Sequence, residues 1–330
     1  MTWRWLRGAW SRWWIGGVVV GVALLLLMWR ALAASPAPAA ITPSASPTAT
    51  ERPTQSPSPR PSPTATPSPS PSPTPEAGFE DGRLTVLVLG SDSSAERAAV
   101  RAGGLTDGIT VVSVREDGTG LALFSLPRDT SDVPMPDGSI WTAKINALAP
   151  TLGAEVAADA IGLLLGVQID NYVQINMDDL VHIVDAVGGV SIDVPSRLAD
   201  SSCVIEPGVN QMSGWLALCY ARHRQTDDDY ARAGRHQLLL LAIRDAMSTN
   251  EVDVASLVAS LGSLQTNLDL DDLDRLVAMA SGSQGLEARR VVLGPPDYTL
   301  FVGVAGERGW ISTPNVAAIQ STVEELLAAE

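Results

Sequence analysis

The first continuous apolar run beyond residue 79 is L-T-V-L-V-L, Leu84 to Leu89, stopped by Gly90. A short β-rich run of this kind predicts a buried strand. Two more such runs, Ile109 to Val114 and Leu121 to Leu126, flank the turn residues Glu116-Asp117-Gly118-Thr119-Gly120 and predict a hairpin. Apolar positions at helical spacing predict a helix over Ala154 to Leu165. Tyr172 to Ile175 predicts a strand, and Asp178 to Val187 a helix ended by Gly188-Gly189. A strand at Val190 to Val194 precedes Pro195, and helices are expected at Ser213 to Tyr220 and Arg235 to Met247. The remaining pattern predicts helices at Val252 to Leu261 and Leu270 to Ala280, a strand at Arg290 to Leu293 and a last helix at Val316 to Leu327. Strands interleaved with helices, several apolar throughout, imply a mixed sheet covered on both faces. No Pro-rich break or internal repeat divides 79–330, which reads as one domain.

The N-terminal quarter has a different grain. Arg4, Arg7 and Arg12 mark residues 1–12 as a cytoplasmic N-terminus, and 13–30 hold an uncharged run from Trp13 to Trp29 closed by Arg30. Basic residues before the run and tryptophans at its edges predict a transmembrane anchor with the N-terminus inside, close to the lower limit of ~17 residues for a crossing helix. A cleaved signal peptide is the competing reading, with Ala31-Leu32-Ala33 as its cleavage site; Arg30 directly after the run favours retention. Residues 31–78 are rich in Pro, Ser and Thr and read as a disordered, polyproline-like tether reaching on the order of 100 Å. On either reading 79–330 is exported.

Charge sharpens the picture. Six arginines and two glutamates precede residue 79, leaving 16 basic and 35 acidic residues after it, a net of −19. Such a field repels polyanions, so no nucleic-acid partner is expected. Against it stands Tyr220 to Gln237, which gathers Arg222, Arg224, Arg232 and Arg235 around Asp227, Asp228 and Asp229. If extended, Arg222 and Arg224 point the same way, and paired guanidinium forks match phosphate. The bland alternative is a surface ion-pair network. Lys144 is the single lysine of the chain, a position to watch unless codon bias left it there by chance. Cys203 and Cys219 are 16 positions apart, too few with three scattered histidines for a zinc site. An exported domain favours their pairing as a disulfide over buried free thiols.

Loops after buried strands in α/β sheets are where sites form. Gly90-Ser91-Asp92 ends one strand, Thr106-Asp107-Gly108 opens the next, and Ser125-Leu126-Pro127-Arg128-Asp129-Thr130 closes the third. Two carboxylates there suit Mg²⁺ shared with phosphate and water, or serve only as turn formers and caps.

In order, G-S-D at 90–92, T-D at 106–107, S-L-P-R-D-T at 125–130, K-I-N-A at 144–147 and D-A-V-G-G-V-S-I-D-V-P at 185–195 resemble the LytR-CpsA-Psr family of bacterial wall proteins. M-S-G-W-L-A-L at 212–218 and Y-A-R-H-R-Q-T-D-D-D-Y-A-R at 220–232 continue the resemblance, which spans about 84–247. It implies a three-layer α/β/α sandwich with a mixed central sheet. It also implies a membrane-anchored, Mg²⁺-dependent phosphotransferase that moves a glycopolymer from a polyprenyl-pyrophosphate carrier to peptidoglycan through a phosphodiester. Asp92 and Asp107 match the metal-associated carboxylates. Arg128, Lys144, Arg222, Arg224 and Arg232 match pyrophosphate-contacting positions, and Asp229 an acidic residue of the same pocket that orients or deprotonates the attacking hydroxyl. Lys144, Arg235, His236 and Gln237 are expected to bind substrate, and apolar helices to enclose the lipid.

The chain departs from the family pattern at three positions. Leu105 stands where an arginine is usual, Gly108 where a threonine follows the second carboxylate, and His236 where a glutamine is expected. Arg97 and Arg101 are the nearest candidates to replace the missing charge. Two other readings stay open: a polyprenyl-pyrophosphate hydrolase using the same pocket, and a non-catalytic module binding lipid or wall polymer.

Overall fold

A computed structural model describes residues 82–94, 96, 104–224, 228–250, 252–253, 257–259, 261–262, 264–269, 278–279, 282–283 and 285–328. The expected anchor and tether, Arg97, Arg101 and Asp227 lie outside the described residues, as do most positions of the helices expected at 252–261 and 270–280.

In chain order the strands are β1 (Arg83–Ser91), β2 (Thr106–Arg115), β3 (Leu121–Ser125), β4 (Val133–Pro134) and β5 (Ile140–Trp141). There follow α1 (Leu148–Leu152), α2 (Ala154–Leu165), β6 (Asn171–Ile175), α3 (Met177–Ala186), β7 (Val190–Val194), β8 (Leu198–Ala199), β9 (Val204–Ile205) and β10 (Gly208–Met212). The rest comprises α4 (Gly214–Arg222), α5 (Asp229–Thr249), β11 (Gln265–Thr266), β12 (Arg289–Val292), β13 (Thr299–Val304), β14 (Trp310–Pro314) and α6 (Val316–Ala328).

Six strands form one mixed sheet in the order β11-β6-β1-β2-β3-β12. The expected β2–β3 hairpin is present, β1 runs antiparallel to β2, and β6 and β12 add parallel to β1 and β3. The unbroken apolar runs follow from burial on two faces. Leu87 and Leu89 of β1 point with Val111 and Phe124 into a core closed by Ala157, Ile161 and Leu164 of α2 and Ile319 and Val323 of α6. Val86, Val88, Val112 and Val114 point the other way, toward a cavity walled by α3, α4 and α5. Each fully buried leucine in such a core contributes ~1.5–3 kcal/mol.

Local chemistry sets the helix ends. Asn176 and Asp179 form a reciprocal capping box at the start of α3. Gly188 and Gly189, at φ 84 and 88, let the chain leave it. Gly214 has no side chain because a Cβ would lie 2.2 Å from the Val181 carbonyl oxygen, which is how α4 crosses α3 so closely.

Several expectations need correction. The helix expected from Arg235 begins six residues earlier, at Asp229, where the Asp228 carboxylate accepts the N–H groups of Tyr230 and Ala231. Arg222 is the last residue of α4, so the stretch from Tyr220 is not extended and the alternation argument for Arg222 and Arg224 does not apply. Four two-stranded ribbons among the described residues were not anticipated: β10 on β7, β4 on β5, β8 on β9, and the hairpin of β13 and β14. Cys203 and Cys219 are paired as a disulfide, with Cα atoms 6.4 Å apart, and so tie the β8–β9 ribbon to α4 just before Arg222.

Candidate active site

Three strand ends and two helix ends meet at one edge of the sheet. β1 delivers Asp92, antiparallel β2 delivers Asp107 beside it through the Gly90–Gly108 pairing, and the segment after β3 delivers Arg128. The backbone holds the first of these: Asp92 donates its N–H to the Leu105 carbonyl at 2.9 Å and accepts the Leu105 N–H at 2.8 Å. From the opposite side come Arg222 at the end of α4, Arg224 just beyond it, and Arg232 and His236 one turn apart on α5.

These groups ring the mouth of a cavity of about 750 Å³. Its depths are apolar, lined by Val86, Val88, Val112 and Val114 of the sheet, Leu180 and Ile183 of α3, and Leu239, Leu240 and Ile243 of α5. On α5 the lining residues 232, 236, 239, 240 and 243 form a single helical stripe, charged at its N-terminal end and aliphatic further on.

Asp107 is the electrostatic hub. Its Oδ2 accepts Arg128 Nη1 at 3.0 Å and Arg224 Nη2 at 2.9 Å, with Arg232 Nη1 at 3.8 Å. Its Oδ1 accepts Nδ2 of the buried Asn146 at 3.0 Å. Burial pushes its carboxyl up, but the Asn146 hydrogen bond and the charges of Arg128 and Arg232 outweigh this and hold it below the usual carboxylate range. Asp229 bridges two arginines from behind, accepting Arg128 Nε and Arg232 Nη2 at 3.0 Å each. Burial lowers Arg128, yet Asp107, Asp229 and Asp129 raise it further. Arg232, only 5% exposed, is lowered by burial, which its partner Asp229 offsets only in part. Both remain cationic.

The lining carries four guanidinium groups and two carboxylates. Counting Asp229, which pairs with Arg128 and Arg232, three carboxylates face the four guanidinium groups, a small local excess of positive charge in a domain with a net of −19.

The sequence-derived residues divide into two groups. Asp92, Asp107, Arg128, Arg222, Arg224, Arg232 and His236 line the cavity, as does Leu105. Asp229 and Lys144 stand behind it. Lys144 donates to Asp129 at 2.6 Å and caps the single turn Ile145–Ala147 that presents Asn146. Arg235 and Gln237 are not brought to the lining, against the expectation that they bind substrate. Arg235 is buried, donates to the His223 carbonyl at 2.5 Å and lies over the Tyr220 ring. Gln237 donates to Ser125 Oγ at 3.0 Å and to the Val291 carbonyl at 2.8 Å, riveting α5 to β3 and β12. Asn146, whose amide holds Asp107, is the residue that residue-by-residue reasoning passed over, although it lies inside the K-I-N-A motif.

Two of the three departures from the family pattern prove to be coupled. A Cβ on Gly108 would lie 3.2 Å from His236 Nδ1. His236 Nε2 is 3.0 Å from the Ala221 carbonyl, which can only accept, so that nitrogen carries the proton. Burial lowers the His236 pKa to about 4, and Arg232 and Arg235 act in the same direction against the Ala221 bond. The imidazole is therefore neutral near pH 7.

The LytR_cpsA_psr family model matches residues 45–292. Among curated relatives, the chain is 29% identical over 205 residues to the polyisoprenyl-teichoic acid–peptidoglycan teichoic acid transferase TagU of Halalkalibacterium halodurans, covering 60% of this chain and 66% of that protein. It is 29% identical over 203 residues to biofilm regulatory protein A of Streptococcus mutans, covering 56% of this chain and 50% of the relative. The chain thus spans half to just under two thirds of the length of these relatives. Among solved structures, Bacillus subtilis TagV superposes with a TM-score of 0.61 at 23% identity, over 76% of this chain and 99% of that one. TagT bound to LIIa-WTA superposes with a TM-score of 0.59 at 21% identity, over 76% and 92%. These superpositions show a shared mixed α/β fold.

Proposed function

Because this chain belongs to the LytR_cpsA_psr family, we propose that it is a glycopolymer phosphotransferase acting on a polyprenyl-pyrophosphate donor outside the cytoplasmic membrane, with peptidoglycan as acceptor. One observation carries this reading: an aliphatic cavity of about 750 Å³ whose mouth holds Arg128, Arg222, Arg224 and Arg232. An isoprenoid chain fits the aliphatic depth, and a pyrophosphate fits the guanidinium ring.

The transfer requires little covalent help from the protein. An acceptor sugar hydroxyl attacks the phosphorus bonded to the glycan. The bond from that phosphorus to the bridging oxygen breaks, and polyprenyl phosphate leaves with the electron pair. The hydroxyl proton passes to solvent or to a nearby carboxylate. Arg128, Arg224 and Arg232 hold the phosphoryl oxygens and offset charge as it builds there. Asp229, clasped by Arg128 and Arg232, keeps both forks aimed at the mouth. Asp92 and Asp107 line one cavity, and two carboxylates with phosphate oxygens and water would suit Mg²⁺ once phosphate draws Arg128 and Arg224 off the Asp107 Oδ2 that both occupy here. Bound there, Mg²⁺ would neutralise phosphate charge and orient the two phosphates. The curated relatives named as transferases support the transferase reading. An anchor at 13–30 and a tether at 31–78 belong to the same proposal, placing the site in the wall layer.

The test is transfer of labelled glycan from a lipid-linked donor to peptidoglycan by the purified full chain with Mg²⁺. Leu105, an apolar side chain in the lining, favours a second reading as a binding module. Tight pyrophosphate-lipid binding with no transfer and no phosphate release would select that reading, and phosphate release without acceptor would select a hydrolase.

A further inference from the structure

The β13–β14 hairpin lies beyond the family match, which ends at residue 292, yet it reaches the segment that carries Arg128. Ser312 donates its N–H to the Asp129 carbonyl at 2.9 Å, and its own carbonyl accepts the Ser131 N–H at 2.9 Å. The next residue, Thr313, donates its hydroxyl to Asp132 Oδ2 at 3.0 Å, while Arg308 Nη1 donates to Asp132 Oδ1 at 2.7 Å. Asp132 is the one non-glycine with positive φ among the described residues, at 57°. Aspartate is among the few residues with a Cβ that enter this left-handed region, and here Arg308 and Thr313 hold its carboxylate. Arg128, three residues before Ser131, thus sits on a backbone segment paired to β14, and its side chain meets Asp229 at 3.0 Å.

We propose that the C-terminal hairpin is part of the active site, and that Asp132, clamped by Arg308 and Thr313, is a positioning residue that fixes the direction of Arg128. The physical reason is entropy. A long arginine side chain has much rotamer freedom to lose when it is immobilised, so its aim depends on a backbone that does not drift. A segment with no regular hydrogen-bond ladder of its own borrows rigidity from β14. The role in turnover rests on the phosphotransferase reading, but the clamp itself does not.

The test reads Arg128 directly in the full chain. Hydrogen exchange is followed at Arg128 Nε–H and at the Ser131 amide by NMR, for Arg308→Ala, Arg308→Lys and Asp132→Gly. The glycine variant keeps the left-handed backbone accessible but removes the whole side chain and loosens the backbone, so Arg308→Ala, which leaves Asp132 in place, decides the clamp. Exchange at both protons is expected to rise about fivefold in Arg308→Ala and Asp132→Gly, a modest factor because the ion pair is partly exposed. Arg308→Lys should restore the wild-type rate, and amides of α2 should not change. Where transfer is measurable, kcat should fall by the same factor with KM for the donor held within about twofold. Unchanged exchange in Arg308→Ala, or an equal rise throughout α2 and α6, would overturn the clamp. A wild-type chain that transfers nothing would overturn the phosphotransferase reading alone, since the exchange rates still decide whether Arg308 and Asp132 hold Arg128.

Discussion

Gly108 and His236 occupy one space: the position a Cβ on Gly108 would take is 3.2 Å from His236 Nδ1 and 3.4 Å from Cε1. Two departures from the family pattern thus meet in space, where a side chain on β2 would crowd the imidazole on α5. Gly108→Thr alone should destabilise the protein by ~1–3 kcal/mol through overpacking. Combining it with His236→Gln should recover most of that loss. A urea-unfolding double-mutant cycle measures the coupling, and strict additivity would sink the idea.

The same imidazole sets a pH dependence. Its folded pKa, about 4, is depressed from 6.5, so the unfolded chain binds a proton first as pH falls. Stability should therefore be level above pH 6.5 and decline from there toward pH 4, by at most ~3 kcal/mol. His236→Gln should flatten that window. Asp107, held below its usual range, adds a separate loss at still lower pH, which the His236→Gln profile should retain.

Arg224 and Arg232 should separate binding from folding. Arg224 is about half exposed, whereas Arg232 is 5% exposed and paired to Asp229. Arg224→Ala should weaken binding of a polyprenyl-pyrophosphate analogue about tenfold, as the loss of one charge-assisted contact implies, and leave Tm unchanged. Arg232→Ala should weaken it at least as much and also cost ~1.5–3 kcal/mol of stability, because Asp229 loses a buried partner. Calorimetric titration and thermal unfolding of the two variants provide the comparison.

Gln237 should behave as a structural residue. Gln237→Leu leaves the Val291 carbonyl and Ser125 hydroxyl without its amide and should cost ~1–3 kcal/mol, with analogue affinity within twofold of wild type. A tenfold loss of affinity at unchanged stability would restore Gln237 to the binding site.

Leu105 faces the cavity without charge. Leu105→Arg should tighten binding of the analogue about tenfold by adding a charge-assisted contact to phosphate. If transfer also rises, the wild-type chain is an attenuated enzyme; tighter binding with no transfer favours the binding module.

Much of this molecule was legible in its residues. Apolar runs without alternation located β1, β2 and β3, because strands buried on both faces cannot carry a polar side. The ordered motifs named Asp92, Asp107, Arg128, Arg222, Arg224 and Arg232, and all six line the cavity. The start of α5 was hidden because its first turns are polar, and a run of aspartates reads as a loop until Asp228 is seen capping two N–H groups. The β13–β14 hairpin was hidden for another reason: Leu300 and Val304 are exposed, so its pattern lacks the alternation of a half-buried ribbon.

Arg235, His236 and Gln237 show where reading along the chain stops. They are neighbours in sequence, and their side chains depart from α5 about 100° apart. One faces the cavity, while the other two are spent on His223 and on the sheet. Residue types and motif order were enough to predict the main strands and helices and to suggest a phosphate-binding chemistry, because hydrophobic periodicity and guanidinium geometry are local properties. Which arginines line the cavity, that a Cβ on Gly108 would crowd His236, and that a hairpin past residue 292 pairs with the segment after Arg128 depended on contacts between segments up to about two hundred residues apart, whose geometry exists only once the sheet and helices have packed.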